Sequence, residues 1–370
     1  MSESLRRSRE RTPILTIARP SDGPPPSELR AVFGEDAGTA WAIPEAGLVV
    51  GRAPSGVGLP VVLNDGDASR THASFQVGAR GLQIADLGST NGTWVNGRSV
   101  RGSALEPGDV VRIGRTLIVV GRGVATPGKA HGLIGCAPAV AEIRRLVDVA
   151  GPSSLPVIVV GPTGTGKELI AQGLHATSGR RGELVAINGA ALAEALVEST
   201  LFGHKRGAFT DARTDEAGAF VRAHGGTLFI DEIGEMSDAA QAKVLRTLET
   251  GEVMAVGAAR PTRVDVRVVA ATHRVASGPG AALRADLYAR MAGVVIRTPA
   301  LTERREDVLT LFRAFLPAGI RERPFDLAFA ESLLLHDWPY NVREVKRLAE
   351  RLAVLHNSVG SWTAAHLGPE

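Results

Sequence analysis

Hydrophobic and polar positions change rhythm several times along the 370 residues. From about 30 to 123 the chain runs in short apolar stretches: Leu48-Val49-Val50, Leu59-Pro60-Val61-Val62-Leu63, Ala73-Ser74-Phe75-Gln76-Val77, Leu82-Gln83-Ile84, Val110-Val111-Arg112-Ile113 and Leu117-Ile118-Val119-Val120. Many short strands separated by turn residues predict a β-sandwich. Two Asn-Gly turns, Asn91-Gly92 and Asn96-Gly97, bracket Thr93-Trp94-Val95. The period then lengthens. Residues 137–150 set Val140, Ile143, Leu146 and Val147 on one face, which predicts an amphipathic helix. Beyond it, Val157-Ile158-Val159-Val160 reads as a buried parallel strand. Leu184-Val185-Ala186-Ile187 and Gly226-Thr227-Leu228-Phe229-Ile230 read as two more, so the second half is expected to be α/β. Residues 1 to about 29 keep few apolar positions in register and carry Arg6, Arg7, Arg9, Arg11 and Pro24-Pro25-Pro26. They predict a disordered basic tail.

Composition narrows this picture in only a few places. A chain that is 44% hydrophobic and 22% charged is expected to be soluble and globular. No apolar run approaches the roughly 20 residues of a membrane span, and the arginine-rich start lacks a signal-peptide core, so the expected location is cytoplasmic. The single Cys136 cannot form an internal disulfide, and the nine histidines show no metal-site spacing. A net charge of +3 is too mild to imply nucleic-acid binding. Lysine occurs only at 129, 167, 205, 243 and 346, so Lys167 stands out.

That lysine closes Gly161-Pro162-Thr163-Gly164-Thr165-Gly166-Lys167-Glu168, which follows the first parallel strand and leads into Leu169-Ile170-Ala171, a helix start. The spacing is G-x-x-x-x-G-K. Glycines let successive backbone N–H groups curl toward phosphate oxygens, while a helix N-terminus and Lys167 supply positive charge. Glu168 stands where a hydroxyl ligand for Mg²⁺ is usual, and an ordinary turn between strand and helix would give the same glycines. The strand at 226–230 ends in Asp231-Glu232. A hydrolytic ATP site needs two such carboxylates: Asp231 is assigned to Mg²⁺, directly or through water, and Glu232 to the attacking water. A solvated acidic turn is the competing reading, weakened because both motifs suit one α/β sheet.

Within the sandwich, Gly51-Arg52, Ser69-Arg70-Thr71-His72, the run from Asp86 to Thr93 and Asn96-Gly97 resemble the forkhead-associated (FHA) domain. The resemblance covers nearly all of 30–123 and implies phosphothreonine-peptide binding by loops at one end. By position, Arg52 would pair with the phosphate, Ser69, Arg70 and Thr90 would add donors, Asn91 would hold the peptide backbone, and His72 would brace the loop. Gly92, Gly97 and His72 read instead as folding residues, which leaves Arg52, Ser69, Arg70, Thr90 and Asn91 as the ligand candidates.

Residues 134 to about 356 resemble the AAA+ ATPase domain of bacterial enhancer-binding proteins, the NtrC-like activators of sigma-54 RNA polymerase. The resemblance is carried by the glycine loop with its Glu168, Ile187-Asn188, Glu198 to His204, Gly207-Ala208-Phe209-Thr210, Gly226 to Glu235, Asp265 to Thr272 and Trp338 to Glu344. It implies a multidomain chain: tail 1–29, FHA sandwich 30–123, linker 124–133, α/β ATPase domain 134–300 and helical lid 301–370. It also implies ATP and Mg²⁺ as cofactors and assembly into a ring, expected as a homo-hexamer. By the same resemblance the glycine loop and Thr272 at the sensor strand bind nucleotide, Asn188 holds Glu232 from the water, and Arg284 and Arg290 reach a neighbouring subunit's γ-phosphate. Arg343 senses nucleotide, in a helix whose start carries an Asn341–Glu344 capping-box pattern, and Phe209 and Thr210 contact sigma-54.

Four departures qualify that reading. Asp211 replaces a glycine of the Gly-Ala-Phe-Thr-Gly-Ala loop, His273 an asparagine after Thr272, and Thr302 an arginine near the lid. Residues 356–370 are too short for the usual Fis-like helix-turn-helix, so no direct DNA-binding domain is visible and action from solution or through a partner is expected. The expectation is an ATP-hydrolysing sigma-54-dependent regulator controlled by a phosphothreonine protein or by its own tail phosphorylated at Thr12. The alternatives are an FHA-directed signalling adaptor and an AAA+ remodeller of another client.

Overall fold

The computed structural model describes residues 26–79, 81–123, 129–191, 194–209, 212–274, 278 and 281–368. The expected basic tail, with Thr12, lies outside them up to residue 25. By its contacts the chain divides into two compact units. Among described residues, one unit holds 152–160 and 178–297, and the other holds 26–151, 161–177 and 298–368.

The larger unit opens with eleven strands: β1 (Glu28–Phe33), β2 (Ala40–Ala42), β3 (Leu48–Gly51), β4 (Leu59–Val62), β5 (Ala73–Gly78), β6 (Gly81–Asp86), β7 (Thr93–Val95), β8 (Arg98–Val100), β9 (Gly102–Leu105), β10 (Val110–Ile113) and β11 (Thr116–Gly121). They form two sheets, ordered β2-β1-β11-β10-β7-β8 and β4-β3-β5-β6-β9. Pairing is antiparallel except for β3 with β4. β1 starts at Glu28, two residues ahead of the boundary of about 30 expected for the β segment. Leu29, Val50, Phe75, Ile84, Val111, Ile113, Ile118 and Val120 fill the space between the sheets.

The remaining elements are α1 (Pro138–Ala150), β12 (Val157–Val160), α2 (Lys167–Thr177), β13 (Leu184–Asn188), α3 (Glu194–Phe202), β14 (Gly203–His204), β15 (Glu216–Ala217), α4 (Ala219–Arg222), β16 (Thr227–Asp231), α5 (Asp238–Thr250), β17 (Glu252–Val253), β18 (Thr262–Arg263), β19 (Arg267–Thr272), α6 (Ala285–Met291), β20 (Val294–Arg297), α7 (Val308–Phe315), α8 (Leu327–Leu335) and α9 (Asn341–Leu355). The helix α1 buries Val140, Ile143, Leu146, Val147 and Ala150, the face its spacing predicts. In the smaller unit, β13-β16-β19-β12-β20 make an all-parallel sheet. Val157, Ile158 and Val159 are fully buried, which is why that strand reads as an unbroken apolar run.

β11 shows what an outer face can do. Leu117 through Val120 are all buried. Ile118 and Val120 point into the sandwich, whereas Leu117 and Val119, with Val110 of β10, pack into a second core with Leu301, Val308, Phe312, Phe329 and Trp362. The C-terminal helices therefore cover one face of the sandwich. Phe312 anchors them, meeting the rings of Phe325, Phe329 and Trp362 edge-on at 5.5–6.2 Å, and Arg112 reaches Glu331 at 3.5 Å. Truncating a buried phenylalanine such as Phe312 costs about 3–5 kcal/mol. No helix among the described residues is long and apolar enough to cross a membrane.

Candidate functional site

The glycine loop leaves β12 with Gly161, Gly164 and Gly166 at φ of 159°, 81° and 100°. Two of these glycines are required by close approach. A Cβ at Gly161 would lie 2.0 Å from Thr298 Oγ1, and one at Gly164 would lie 2.2 Å from the Tyr340 carbonyl. Because α2 starts at Lys167, its first amides open onto the loop. Lys167 is buried, with Nζ donating to the carbonyls of Gly161 at 3.0 Å and Pro162 at 3.4 Å. Thr165 Oγ1 donates to the Pro162 carbonyl at 2.8 Å and lies 2.7 Å from Thr298 Oγ1. Glu168 is exposed and its Oε1 accepts from Gln172 one turn along α2.

Residues of the C-terminal segment grip this loop. Asn341 Nδ2 donates to the Thr163 carbonyl at 3.0 Å while its Oδ1 accepts the Leu301 N–H at 2.7 Å. Arg304, buried, donates to the Thr165 carbonyl at 3.4 Å. Arg343 is exposed in the first turn of α9, its Cβ 3.2 Å from where a Cβ on Gly164 would stand. The capping box expected from Asn341 and Glu344 forms only in half. Glu344 Oε2 accepts the Tyr340 N–H at 3.0 Å, but Asn341 sits at φ 53° inside the helix start and its amide faces the glycine loop. A glycine cradle, a cation resting on replaceable carbonyls and a helix N-terminus fit the phosphates of a nucleotide.

In the smaller unit, β16 delivers Asp231 and Glu232 as expected. Glu232 holds a left-handed backbone at φ 51°, a conformation that costs a non-glycine residue about 1–3 kcal/mol. Asp231 Oδ1 accepts the Glu232 N–H at 3.1 Å. Such hard oxygen donors suit Mg²⁺, which takes one or two carboxylates and completes its shell with phosphates and water. Glu232 Oε2 accepts the His273 backbone N–H at 3.1 Å and lies 2.6 Å from His273 Nδ1. Asn188 ends β13 opposite Asp231, and its Oδ1 accepts the Ala190 N–H at 2.8 Å. Thr272 is fully buried, its hydroxyl accepting the Arg274 N–H at 3.1 Å. Arg284 forms a forked pair with Asp286 at 2.8 and 3.1 Å, and that guanidinium pulls the Asp286 carboxyl down to about 2. Arg290 is exposed on α6 and donates to the Leu248 carbonyl at 3.1 Å.

The described residues between His204 and Asp215 are tied by hydrogen bonds. Gly207 N–H donates to the Ala212 carbonyl, Ala212 N–H to the Phe209 carbonyl, and Asp215 takes Lys205 at 2.7 Å and the Arg206 N–H at 2.8 Å. Phe209 remains 39% exposed, its ring 4.9 Å from His204. Thr210 and Asp211 lie outside the described residues.

At one end of the sandwich, the loops bearing the other predicted residues converge. Arg52 N–H donates to the Ser69 carbonyl and Ala53 N–H to the Arg70 carbonyl. Gly51 has no room for a Cβ, which would meet those carbonyls at 2.7 and 2.2 Å. Thr90 N–H donates to Ser69 Oγ at 3.0 Å. Arg52, Arg70, Thr90 and Asn91 are exposed, so two guanidinium groups and the Thr90 hydroxyl can meet a phosphate there. Asn91 spends its Nδ2 on the Asp67 carbonyl at 2.8 Å. His72 is buried, its Nδ1 accepting the Ser69 N–H and its Nε2 3.2 Å from the Gly92 carbonyl. Burial holds its pKa below the ordinary imidazole value.

Sequence reasoning singled out His273 only as a departure from the family pattern and Asn341 only as a helix cap, and it missed Arg304. Arg304 did leave a signal: the run Glu303-Arg304-Arg305-Glu306-Asp307 beside apolar Leu301 and Val308 is too charged for the core it enters.

Comparison with known proteins finds matches to two stretches of the chain. Residues 133–297 match the family model of the sigma-54 interaction domain, and residues 30–122 match that of the inner membrane component of T3SS, cytoplasmic domain. The DNA-binding transcriptional regulator NtrC of Azospirillum brasilense is 45% identical over 235 residues, 61% of this chain and 48% of that protein. The nitric oxide reductase transcription regulator NorR1 of Cupriavidus necator is 44% identical over 245 residues, 63% of this chain and 46% of that protein. The chain spans about half the length of these relatives. The crystal structure of NtrX from Brucella abortus in complex with ATP aligns with a TM-score of 0.58 at 32% identity, covering 64% of this chain and 54% of that one.

Proposed function

From the match of residues 133–297 to the sigma-54 interaction domain, preceded by a β-sandwich that fits an FHA-like domain, we propose that the chain hydrolyses ATP to remodel sigma-54 RNA polymerase under phosphothreonine control. Gly161 to Glu168, Thr272 and Arg343 would hold the nucleotide, Asp231 the magnesium ion, and Glu232 the water. Magnesium, when bound, neutralises charge developing on the phosphates. Arg284 and Arg290 would supply charge to the γ-phosphate of a neighbouring copy in a homo-hexamer. Arg284 must first exchange its fork with Asp286 for that phosphate, so hydrolysis depends on assembly. Phe209 and Thr210 would engage sigma-54, Phe209 from an exposed position.

One observation carries the regulatory part of the proposal. The sandwich is packed against the same helical segment that grips the glycine loop. Val110, Leu117 and Val119 share a core with Leu301, Val308 and Phe312, and Arg305 and Arg304 of that segment donate to the carbonyls of Gly108 and Thr165. A phosphothreonine ligand on Arg52, Ser69, Arg70, Thr90 and Asn91 would thereby bias the setting of the loop. The test loads the chain with ADP and a metal fluoride mimic of the transferring phosphoryl group and asks whether sigma-54 co-elutes from gel filtration. Retention in a large assembly, lost in Phe209→Ala, is expected. A ring that hydrolyses ATP without retaining sigma-54 would assign the chain to another client.

A further inference from the structure

We infer that Arg112 is a positioning residue that links the sandwich loop carrying Thr90 and Asn91 to α8, and through α8 to the glycine loop. The link deepens the regulatory reading above and rests on it in taking both ends as ligand sites. On β10 the side chains alternate: Val111 and Ile113 enter the sandwich core, whereas Val110 packs with the C-terminal helices. Arg112 shares the face of Val110 and stands opposite Trp94 of β7 in register. Its guanidinium lies over the Trp94 ring, 4.3 Å from the centroid, and its Nε is 3.5 Å from Glu331 Oε1 of α8. The indole carries the contact onward. Trp94 Nε1 donates to the Asn91 carbonyl at 3.5 Å and would be 3.7 Å from a Cβ on Gly92, so the ring lies against the turn that holds Asn91. Asn91 Nδ2 in turn donates to the Asp67 carbonyl at 2.8 Å.

The other half of the path runs through α8. Glu331 and Leu335 lie about one turn apart on this helix and both face the sandwich: a Cβ on Gly97, in the turn between β7 and β8, would stand 3.1 Å from Leu335 Cδ1. Beyond the helix, Trp338 Nε1 donates to the Leu333 carbonyl at 2.9 Å and the Asn341 N–H to the Trp338 carbonyl at 2.8 Å. Asn341 Nδ2 then reaches the Thr163 carbonyl of the glycine loop at 3.0 Å. Each step from Asn91 to Thr163 is therefore a hydrogen bond, a ring contact, an ion pair or a turn of helix. The step at Arg112 is the adjustable one. Its Nε is buried without a hydrogen-bond partner among the described residues, and 3.5 Å exceeds the roughly 2.7–3.2 Å of an N–H···O bond. A small displacement of α8 closes or opens that gap, so occupancy at either end biases it. Both side chains of the pair are largely buried, which leaves their attraction little screened by salt.

The experiment uses the full chain with ADP as the probe and reads amide hydrogen exchange with and without saturating ADP in wild type, Arg112→Ala and Glu331→Gln. In wild type, ADP is expected to slow exchange in α8 and at residues 91–95 by about 5-fold or more, the lower end of couplings between sites. In both variants the slowing at 91–95 should disappear while that at the glycine loop remains. A second titration adds a peptide of residues 7–17 phosphorylated on Thr12. By reciprocity it should shift the Kd for ADP by a similar factor in wild type and in neither variant, with peptide affinity in the absence of ADP unchanged. Protection at 91–95 that survives in Glu331→Gln or in a folded Arg112→Ala, or that is missing in a wild type that binds ADP, overturns the link. Glu331→Gln preserves the shape of the side chain, so it decides the matter should Arg112→Ala fail to fold. A wild type that shows the protection but ignores the peptide removes phosphothreonine control by this tail and leaves the link standing. A chain that binds no ADP overturns the nucleotide reading and the link with it.

Discussion

The two ends of the larger unit proposed to meet phosphate are built from the same materials and left in opposite states. At the sandwich end Arg52 and Arg70 stand exposed on loops already tied together by Ser69, Thr90 and Asn91. At the glycine loop the cation is folded inward, Lys167 donating to the carbonyls of Gly161 and Pro162. On the proposed reading, the first would be a preformed receptor that gains new bonds on binding. The second must trade bonds, so its affinity is a difference between phosphate and carbonyl partners. Rigid, ready donors favour selective capture, whereas exchangeable donors favour a loop that responds to what it holds.

The comparison breaks most visibly at Lys167. Lys167→Ala should reduce hydrolysis by about 10³-fold, a size typical of losing a charge that acts on a transferring group, while phosphothreonine-peptide affinity, read by calorimetry, stays unchanged. Arg52→Ala should do the reverse. It should weaken a phosphothreonine peptide by about 10- to 100-fold, the worth of a charge-assisted bond of roughly 1.5–3 kcal/mol, with hydrolysis in the absence of peptide intact. If both variants impair both readouts equally, the two ends are not separate sites.

A buried charged cluster belonging to neither end sharpens the contrast. Glu28 pairs with Arg30 at 2.6 Å in β1, and Asp307 accepts the Ala137 N–H at 3.0 Å. Burial, with the neighbouring Asp307 charge, pushes Glu306 up to about 7. A carboxyl raised in the folded state stabilises below its unfolded value of about 4.5 and loses that contribution as pH rises through about 7. Glu306→Gln should therefore raise stability at pH 8 by on the order of 1–3 kcal/mol and change little at pH 4, checked by denaturant titration at both values. A smaller effect of opposite sign belongs to His72. Its lowered pKa means the unfolded chain binds protons first, so the sandwich should lose stability as pH falls below about 6.5. A tryptophan-fluorescence melt of wild type beside His72→Asn would detect it.

Much of this was legible in the residues. Gly161 to Lys167 and Asp231-Glu232 announce their chemistry because phosphate and metal binding demand particular residue types at fixed spacing. Val157 to Val160 and Leu117 to Val120 announce burial on both faces in the same apolar script. The script cannot say what covers each face: for the first, helices of the smaller unit pack on one face of its parallel sheet, and for the second, the C-terminal helices lie on the sandwich. The pairing of His273 was illegible for another reason. Its partner lies 41 residues away, and a histidine after a strand looks the same whether it meets a carboxylate or solvent. Arg304 and Glu306 carry charge, which sequence reasoning assigns to the surface until a second domain is seen to cover them.

Asn341 performs two duties that a single substitution can pull apart. Its backbone occupies a left-handed conformation, which glycine accepts freely and most residues resist. Its amide stitches Thr163 to Leu301. Asn341→Gly would keep the bend and cut the stitch, whereas Asn341→Asp would tolerate the bend, keep the acceptor for Leu301 and set a carboxylate against the Thr163 carbonyl. The two variants act as a pair of scissors with one blade each, dividing the shape of the helix start from its hold on the loop.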